Sequence, residues 1–160
     1  MIHWLTSTTV GRLAATFIIS MLPVVELRGG IPYGVGFGLK PLEAFFAAFL
    51  GNLFPIPFVL LLFNGILEYM KGCRGIVGKA AGFLERKAYK NQKTIEKYKE
   101  LGLIILVAIP LPGTGAWTGA LVATVLGIER KKAFLCIVIG VTIAGAIMMA
   151  ISYGVAGLFG

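Results

Sequence analysis

Four stretches of this chain, residues 13–39, 42–67, 101–128 and 133–159, are long, apolar and nearly free of charge. A hydrocarbon core roughly 30 Å thick takes about 20 helical residues to cross, so each stretch is long enough to matter in a bilayer. Apolar residues make up 58% of the chain and the mean hydropathy is +0.89, far above an ordinary soluble domain. The chain therefore reads as an all-α integral membrane protein, with residues 1–160 forming a single membrane domain. The start, "MIHWLTSTTVGR", lacks the cationic opening and cleavage site of a signal peptide, so the first apolar run is expected to stay.

The charge pattern selects a topology. Nine of the fifteen Lys and Arg lie between Lys71 and Lys99, three more are Arg130, Lys131 and Lys132, and Arg12, Arg28 and Lys40 complete the set. Cytoplasmic flanks collect Lys and Arg. Four full spans would put the two basic blocks on opposite faces. If 13–39 and 101–128 are instead hairpins that enter and leave by one face, while 42–67 and 133–159 cross, both blocks fall inside and Arg12 and Lys40 fall outside. That arrangement places the protein in the plasma membrane with both termini outside and segment 71–100 cytoplasmic. Proline supports the bends: Leu101–Ile109 runs into Pro110, Pro112 and Gly113, while Pro23, Gly29, Gly30 and Pro32 surround the expected first turn.

An offset of 89 residues aligns Leu22 with Leu111, Pro23 with Pro112, Gly30 with Gly119, Gly38 with Gly127, Ala44 with Ala133, Phe45 with Phe134 and Gly51 with Gly140. Small residues recur at every fourth position in both halves, at Gly30, Gly34 and Gly38 and at Gly115, Gly119, Ala123 and Gly127, a pattern that lets helices approach closely. The expected fold is two inverted repeats, each a re-entrant helical hairpin plus a transmembrane helix. Such repeats place binding sites near the midplane. Two hairpins also need more cover than two spans supply, which points to a homodimer.

Within this frame "VELRGG" puts Glu26 and Arg28 at the first hairpin. Charge at membrane depth costs roughly 2.5–3.5 kcal/mol, so it is normally paired, wet or protonated. The functional reading makes Glu26 a proton carrier and Arg28 a magnet for an anionic group, beside the backbone of Gly29 and Gly30. The plainer reading is a pair snorkelling at the headgroup boundary. Two residues apart on a regular helix, the pair would point apart. The second hairpin offers Thr114, Trp117, Thr118 and the amides of Gly113 and Gly115, and half-helix amides attract anions. Trp117 is otherwise a packing aromatic. Asn52 is a candidate substrate contact, although Asn in a span is usually interhelical glue.

Between the halves, Leu84, Ala88, Asn91, Ile95 and Tyr98 form the apolar stripe of a basic amphipathic helix suited to an anionic leaflet. No aromatic platform or binding motif accompanies that charge, which argues against nucleic acid. His3 beside Trp4 is an interfacial anchor or a proton relay. Cys73 and Cys136 lack metal-ligand spacing, no aspartate occurs, and no nucleotide loop or catalytic constellation stands out, so neither enzyme activity nor a cofactor or metal is expected.

"VELRGGIPYG", "GLKPLEAFFAAFLGN" and "PLPGTGAWTGALVATVLGI" resemble the small multidrug export protein family along nearly the whole chain. That family is similar in turn to DedA-type membrane proteins, described as two opposed re-entrant hairpins packed with transmembrane helices. The resemblance implies a transporter, and the DedA-type relatives imply proton-linked export, lipid-carrier phosphate movement or phospholipid scrambling. By position Glu26 matches the acidic residue of the first DedA-type hairpin. The arginines of their second hairpin have no counterpart here, where Thr114, Trp117 and Thr118 stand. The combined expectation is a small secondary transporter, coupled to protons and exporting an anionic or amphiphilic substrate, with membrane lipids around it. A lipid flippase or scramblase, or a non-transporting scaffold, is the alternative.

Overall fold

The structure, a computed structural model, describes residues 8–62, 92–111 and 114–159. It is all helical there: α1 Thr9–Met21, α2 Glu26–Gly36, α3 Pro41–Leu53, α4 Gln92–Ala108, α5 Ala116–Val125 and α6 Arg130–Phe159. After an interruption at Phe54–Pro55, helix α3 resumes to Leu62, so Pro41–Leu62 and Arg130–Gly154 are two helices of 22 and 25 residues long and apolar enough to cross a membrane. At 1.5 Å per residue the first is about 33 Å long, whereas the 11 residues of α2 reach only about 16 Å.

Helix α1, a break, α2 and the first span-length helix come before residues 63–91, and α4, a break, α5 and the second span-length helix come after them. Arg130 begins α6 89 positions after Pro41 begins α3. The turns before these long helices both hold a glycine in the left-handed region, Gly38 at φ 73° and Gly127 at φ 66°, and the chain turns there to enter the next helix. In the first half α1, α2 and α3 pack on one another, and in the second α4, α5 and α6 do so. Helix α6 also packs on α2 and α3, which joins the halves.

Small residues make these contacts. A Cβ on Gly51 would overlap the Phe17 carbonyl, so its absence lets α3 lie directly on α1. Gly140 has the same role between α6 and α4, where a Cβ would stand 2.6 Å from Val107 Cβ and 3.0 Å from the Ile104 carbonyl oxygen. Thr16, Ser20 and Thr124 are buried with their hydroxyls donating to the carbonyls of Arg12, Thr16 and Ala120, so no polar group is stranded there.

Many large apolar residues face outward. On α6 Leu135, Ile139, Ile143, Ile147 and Ile151 form an exposed stripe, while Ala133, Ile137, Gly140, Val141 and Ala144 face the core. Helix α3 repeats this, with Leu42, Phe46, Leu50 and Phe58 exposed and Ala44, Ala48, Gly51 and Asn52 buried. A continuous apolar exterior of this size does not suit water.

Two polar ends bracket this apolar body. Tyr153 donates to the Leu39 carbonyl at 2.7 Å, so the end of the α6 span lies beside the start of α3 and the two run antiparallel. At the other end Lys99 donates to the Leu126 carbonyl at 2.9 Å and Lys132 meets Glu100 at 3.5 Å. Lys40 and the Arg130–Lys132 cluster therefore belong to opposite ends.

Two boundaries differ from the sequence expectation. The first break falls at Leu22–Val25, where Pro23 interrupts the chain, and Gly29, Gly30 and Pro32 lie inside α2. The glycines serve packing: a Cβ on Gly30 would overlap Ser20 Oγ and stand 3.3 Å from Ala48 Cβ, and one on Gly29 would overlap Val25. No break separates the basic segment from the second apolar stretch, because nothing between Lys99 and Leu103 stops a helix and α4 is continuous from Gln92. Of the expected apolar stripe, Tyr98 is 71% exposed. His3, Trp4, Cys73, Leu84, Ala88, Pro112, Gly113 and most of the basic segment lie outside the described residues.

Candidate functional site

Glu26 opens α2 with φ 52°, the one described non-glycine residue in the left-handed region. Such a conformation costs of order 1–3 kcal/mol and persists only where its surroundings enforce it. In this conformation the carboxylate meets Arg28. Oε2 accepts from Arg28 Nη1 at 3.4 Å, so the two residues pair despite their spacing. The glutamate is 4% exposed.

The other half of the chain completes the environment. Helix α5 begins after Gly115, its N-cap, with no side-chain cap of its own, and α2 supplies an acceptor for one of its first amides: the Trp117 backbone N–H donates to Glu26 Oε1 at 3.2 Å. Arg28 turns to the opposite kind of helix end. Its Nη2 donates to the carbonyls of Ile109 at 2.8 Å and Val107 at 3.4 Å, where α4 ends, and to Thr114 Oγ1 at 3.0 Å. Thr114 relays this with its single O–H, which has the carbonyls of Ile109 and Leu111 within reach at 2.7 and 2.9 Å. The carboxylate thus sits at the positive end of one short helix and the guanidinium at the negative end of another, the sign that each helix dipole favours.

Gly115 makes the approach possible. Its φ of 143° belongs to glycine, and a Cβ there would overlap Glu26 Oε2 and stand 2.8 Å from Arg28 Nη1. Glu26, Arg28, Asn52, Val107, Gly115 and Ala116 are among the residues lining a narrow crevice between the halves, too tight to admit a water molecule. Asn52 is 2% exposed and its Oδ1 has no hydrogen-bond partner. Arg28 Nε and Trp117 Nε1 are also buried without partners.

Of the residues named from sequence, Glu26, Arg28, Asn52 and Gly115 line the crevice, Thr114 adjoins it through Arg28, and Trp117 contributes its backbone amide while its ring packs against the core. Thr118 is half-buried on α5 and does not line the crevice, Gly30 is a contact with α1 and α3, and Gly29 meets Val25 at the start of its own helix. Gly113 lies outside the described residues. The carbonyls of Val107 and Ile109 were not anticipated. Their signal was Pro110, which ends α4 and leaves carbonyls without intrahelical donors. Among the described residues no group of three or more His, Cys, Asp or Glu could hold a metal.

The family described as "Putative small multi-drug export protein" matches residues 26–147, from Glu26 itself well into α6. The chain belongs to this family. No curated protein and no solved structure matches the chain. As a small multidrug export family member with two span-length apolar helices and an apolar exterior, it is a membrane protein.

Proposed function

We propose that the protein is a small secondary transporter of the plasma membrane, exporting an anionic or amphiphilic substrate in a proton-coupled cycle. The family description supports export. The observation that carries the reading is the Glu26–Arg28 pair, with Glu26 buried and Arg28 partly so, bonded to two helix ends from the other half of the chain.

In this reading α1–α2 and α4–α5 are re-entrant hairpins that enter from opposite faces, forming inverted repeats with α3 and α6. Support comes from the lengths of α2 and α5, 11 and 10 residues, each about half of a bilayer crossing. Starting from opposite polar ends, such helices bring Glu26 and Gly115 together near mid-depth. The basic end with Lys99 and Arg130–Lys132 is cytoplasmic, with Lys40 outside. Both breaks carry exposed residues, Val24 at 91% and Leu111 at 56%. Irregular backbone at membrane depth needs protein cover, and a second copy laid over the breaks supplies it in a homodimer.

The crevice is the closed form of the substrate site. Glu26 holds the transported proton, Arg28 and the α5 amides orient the substrate, and separation of the hairpin tips toward either face exposes the site alternately. Proton-dependent solute flux into proteoliposomes, abolished by Glu26→Gln, is the expected result. Two rivals give other results: a lipid flippase or scramblase moves headgroups without a proton gradient, and a scaffold behaves like wild type in both assays when the pair is removed.

A further inference from the structure

Glu26 already occupies a place built for an anion. Its carboxylate takes the Trp117 amide at the start of α5 and the Arg28 guanidinium, the two groups that would hold a substrate carboxylate. Further donors, Arg28 Nε and Trp117 Nε1, belong to the same two residues and are buried without partners. An independent observation lies elsewhere in the lining. Asn52, on α3, is 2% exposed and lines the crevice with its Oδ1 unpaired. Leaving a buried acceptor unpaired is costly, because it has given up its bond to water. Glu26, in the same lining, acquires an O–H that could satisfy it on taking up a proton.

We infer that Glu26 is a tethered competitor for a carboxylate substrate. While ionised it fills the site and holds the crevice shut. When it takes a proton from the aqueous side, its new O–H turns to Asn52 Oδ1, and the Trp117 amide and Arg28 are freed for the carboxylate of the substrate. This rests on reading the crevice as the transport site, and names that site's substrate class and coupling. The groups facing Glu26 are few among the described residues: Arg28 from α2 is charged, Asn52 from α3 is neutral, α5 presents Gly115, Ala116 and the Trp117 amide, α4 presents Val107, and α6 presents Val141 and Ala144. Glu26 is thus the titratable group whose protonation can switch the site.

Linkage gives the consequence. If the proton removes the competitor, proton and carboxylate strengthen each other's binding by the same factor. They then cross together, one proton with one monoanion, and the acid leaves down its own outward gradient without net charge movement.

Binding to purified full-length protein tests this, with benzoate as the carboxylate probe and tetraphenylphosphonium as a cation control. Wild type is expected to bind benzoate about tenfold or more tightly at pH 5 than at pH 8, within the usual range of such couplings, and to take up a proton on binding. Glu26→Gln, whose neutral amide mimics the protonated acid, should bind benzoate at both pH values alike. Asn52→Leu should weaken benzoate binding at pH 5 in wild-type background. Benzoate binding that ignores pH in wild type, no benzoate binding at either pH, or preferential binding of tetraphenylphosphonium overturns the inference, and the wild-type comparison needs no variant to fold. Because binding is read without flux, competition in a protein that transports nothing rejects the transport reading alone. Proton-coupled flux of a cation rejects the competition alone.

Discussion

The Glu26 carboxylate occupies the space that a side chain at residue 115 would fill. Gly115 is therefore tied to Glu26 twice, by its φ of 143° and by the missing Cβ. Gly115→Ala should cost about 1–3 kcal/mol from backbone strain alone, and more from the overlap. The expected result is a lowered melting temperature in detergent, with Glu26→Gln, Gly115→Ala no better than the single variant, because Gln fills the same volume.

Arg28 uses its fork to reach Glu26, Ile109, Val107 and Thr114 from two nitrogens. A lysine has one point of attachment and cannot span these acceptors. Arg28→Lys is expected to lose most substrate flux in proteoliposomes while still inserting in the membrane, and full flux from this variant would show that charge alone suffices.

Thr114 both accepts from Arg28 and has backbone carbonyls within reach of its single O–H. Hydrogen bonds to charged groups contribute roughly 1.5–3 kcal/mol. Thr114→Val should lower stability by about this amount and Thr114→Ser by much less. In an Arg28→Ala background the Val substitution should become nearly silent, a coupling that a double-mutant cycle reads directly.

Gly51 and Gly140 hold equivalent helix contacts in the two halves, and a Cβ at either meets backbone or a branched side chain. Alanine at each should destabilise the protein by about 1–3 kcal/mol through overpacking. Gly102, in α4, has open space where a Cβ would stand, with nothing within 4 Å. Gly102→Ala should raise the melting temperature, since the exchange favours helix by about 1 kcal/mol.

Much of the scaffold was legible because membrane helices advertise themselves by length and apolarity, and because Pro23 and Pro110 remove donors where the chain does break. The misplaced first turn has a physical reason. Gly29 and Gly30 look like a bend in isolation, yet Gly30 is small because Ser20 and Ala48 approach it, a tertiary fact with no local mark. Glu26 and Arg28 were visible as charges in an apolar run. Their pairing was not, since it depends on a left-handed Glu26 that helix periodicity cannot anticipate. The acceptors of Arg28 were hidden for a simpler reason: carbonyls of Val107 and Ile109 carry no residue type.

The central claim is that the pair lies between hairpins entering from opposite faces, with Lys40 and the Arg130–Lys132 cluster on different sides of the bilayer. Single cysteines at Lys40, Lys99 and Lys131, in a background with Cys73 and Cys136 replaced, test it in intact cells with a membrane-impermeant maleimide. Labelling at position 40 and protection at 99 and 131 until the membrane is permeabilised is the predicted result. Labelling of 40 and 131 from the same side would contradict the account.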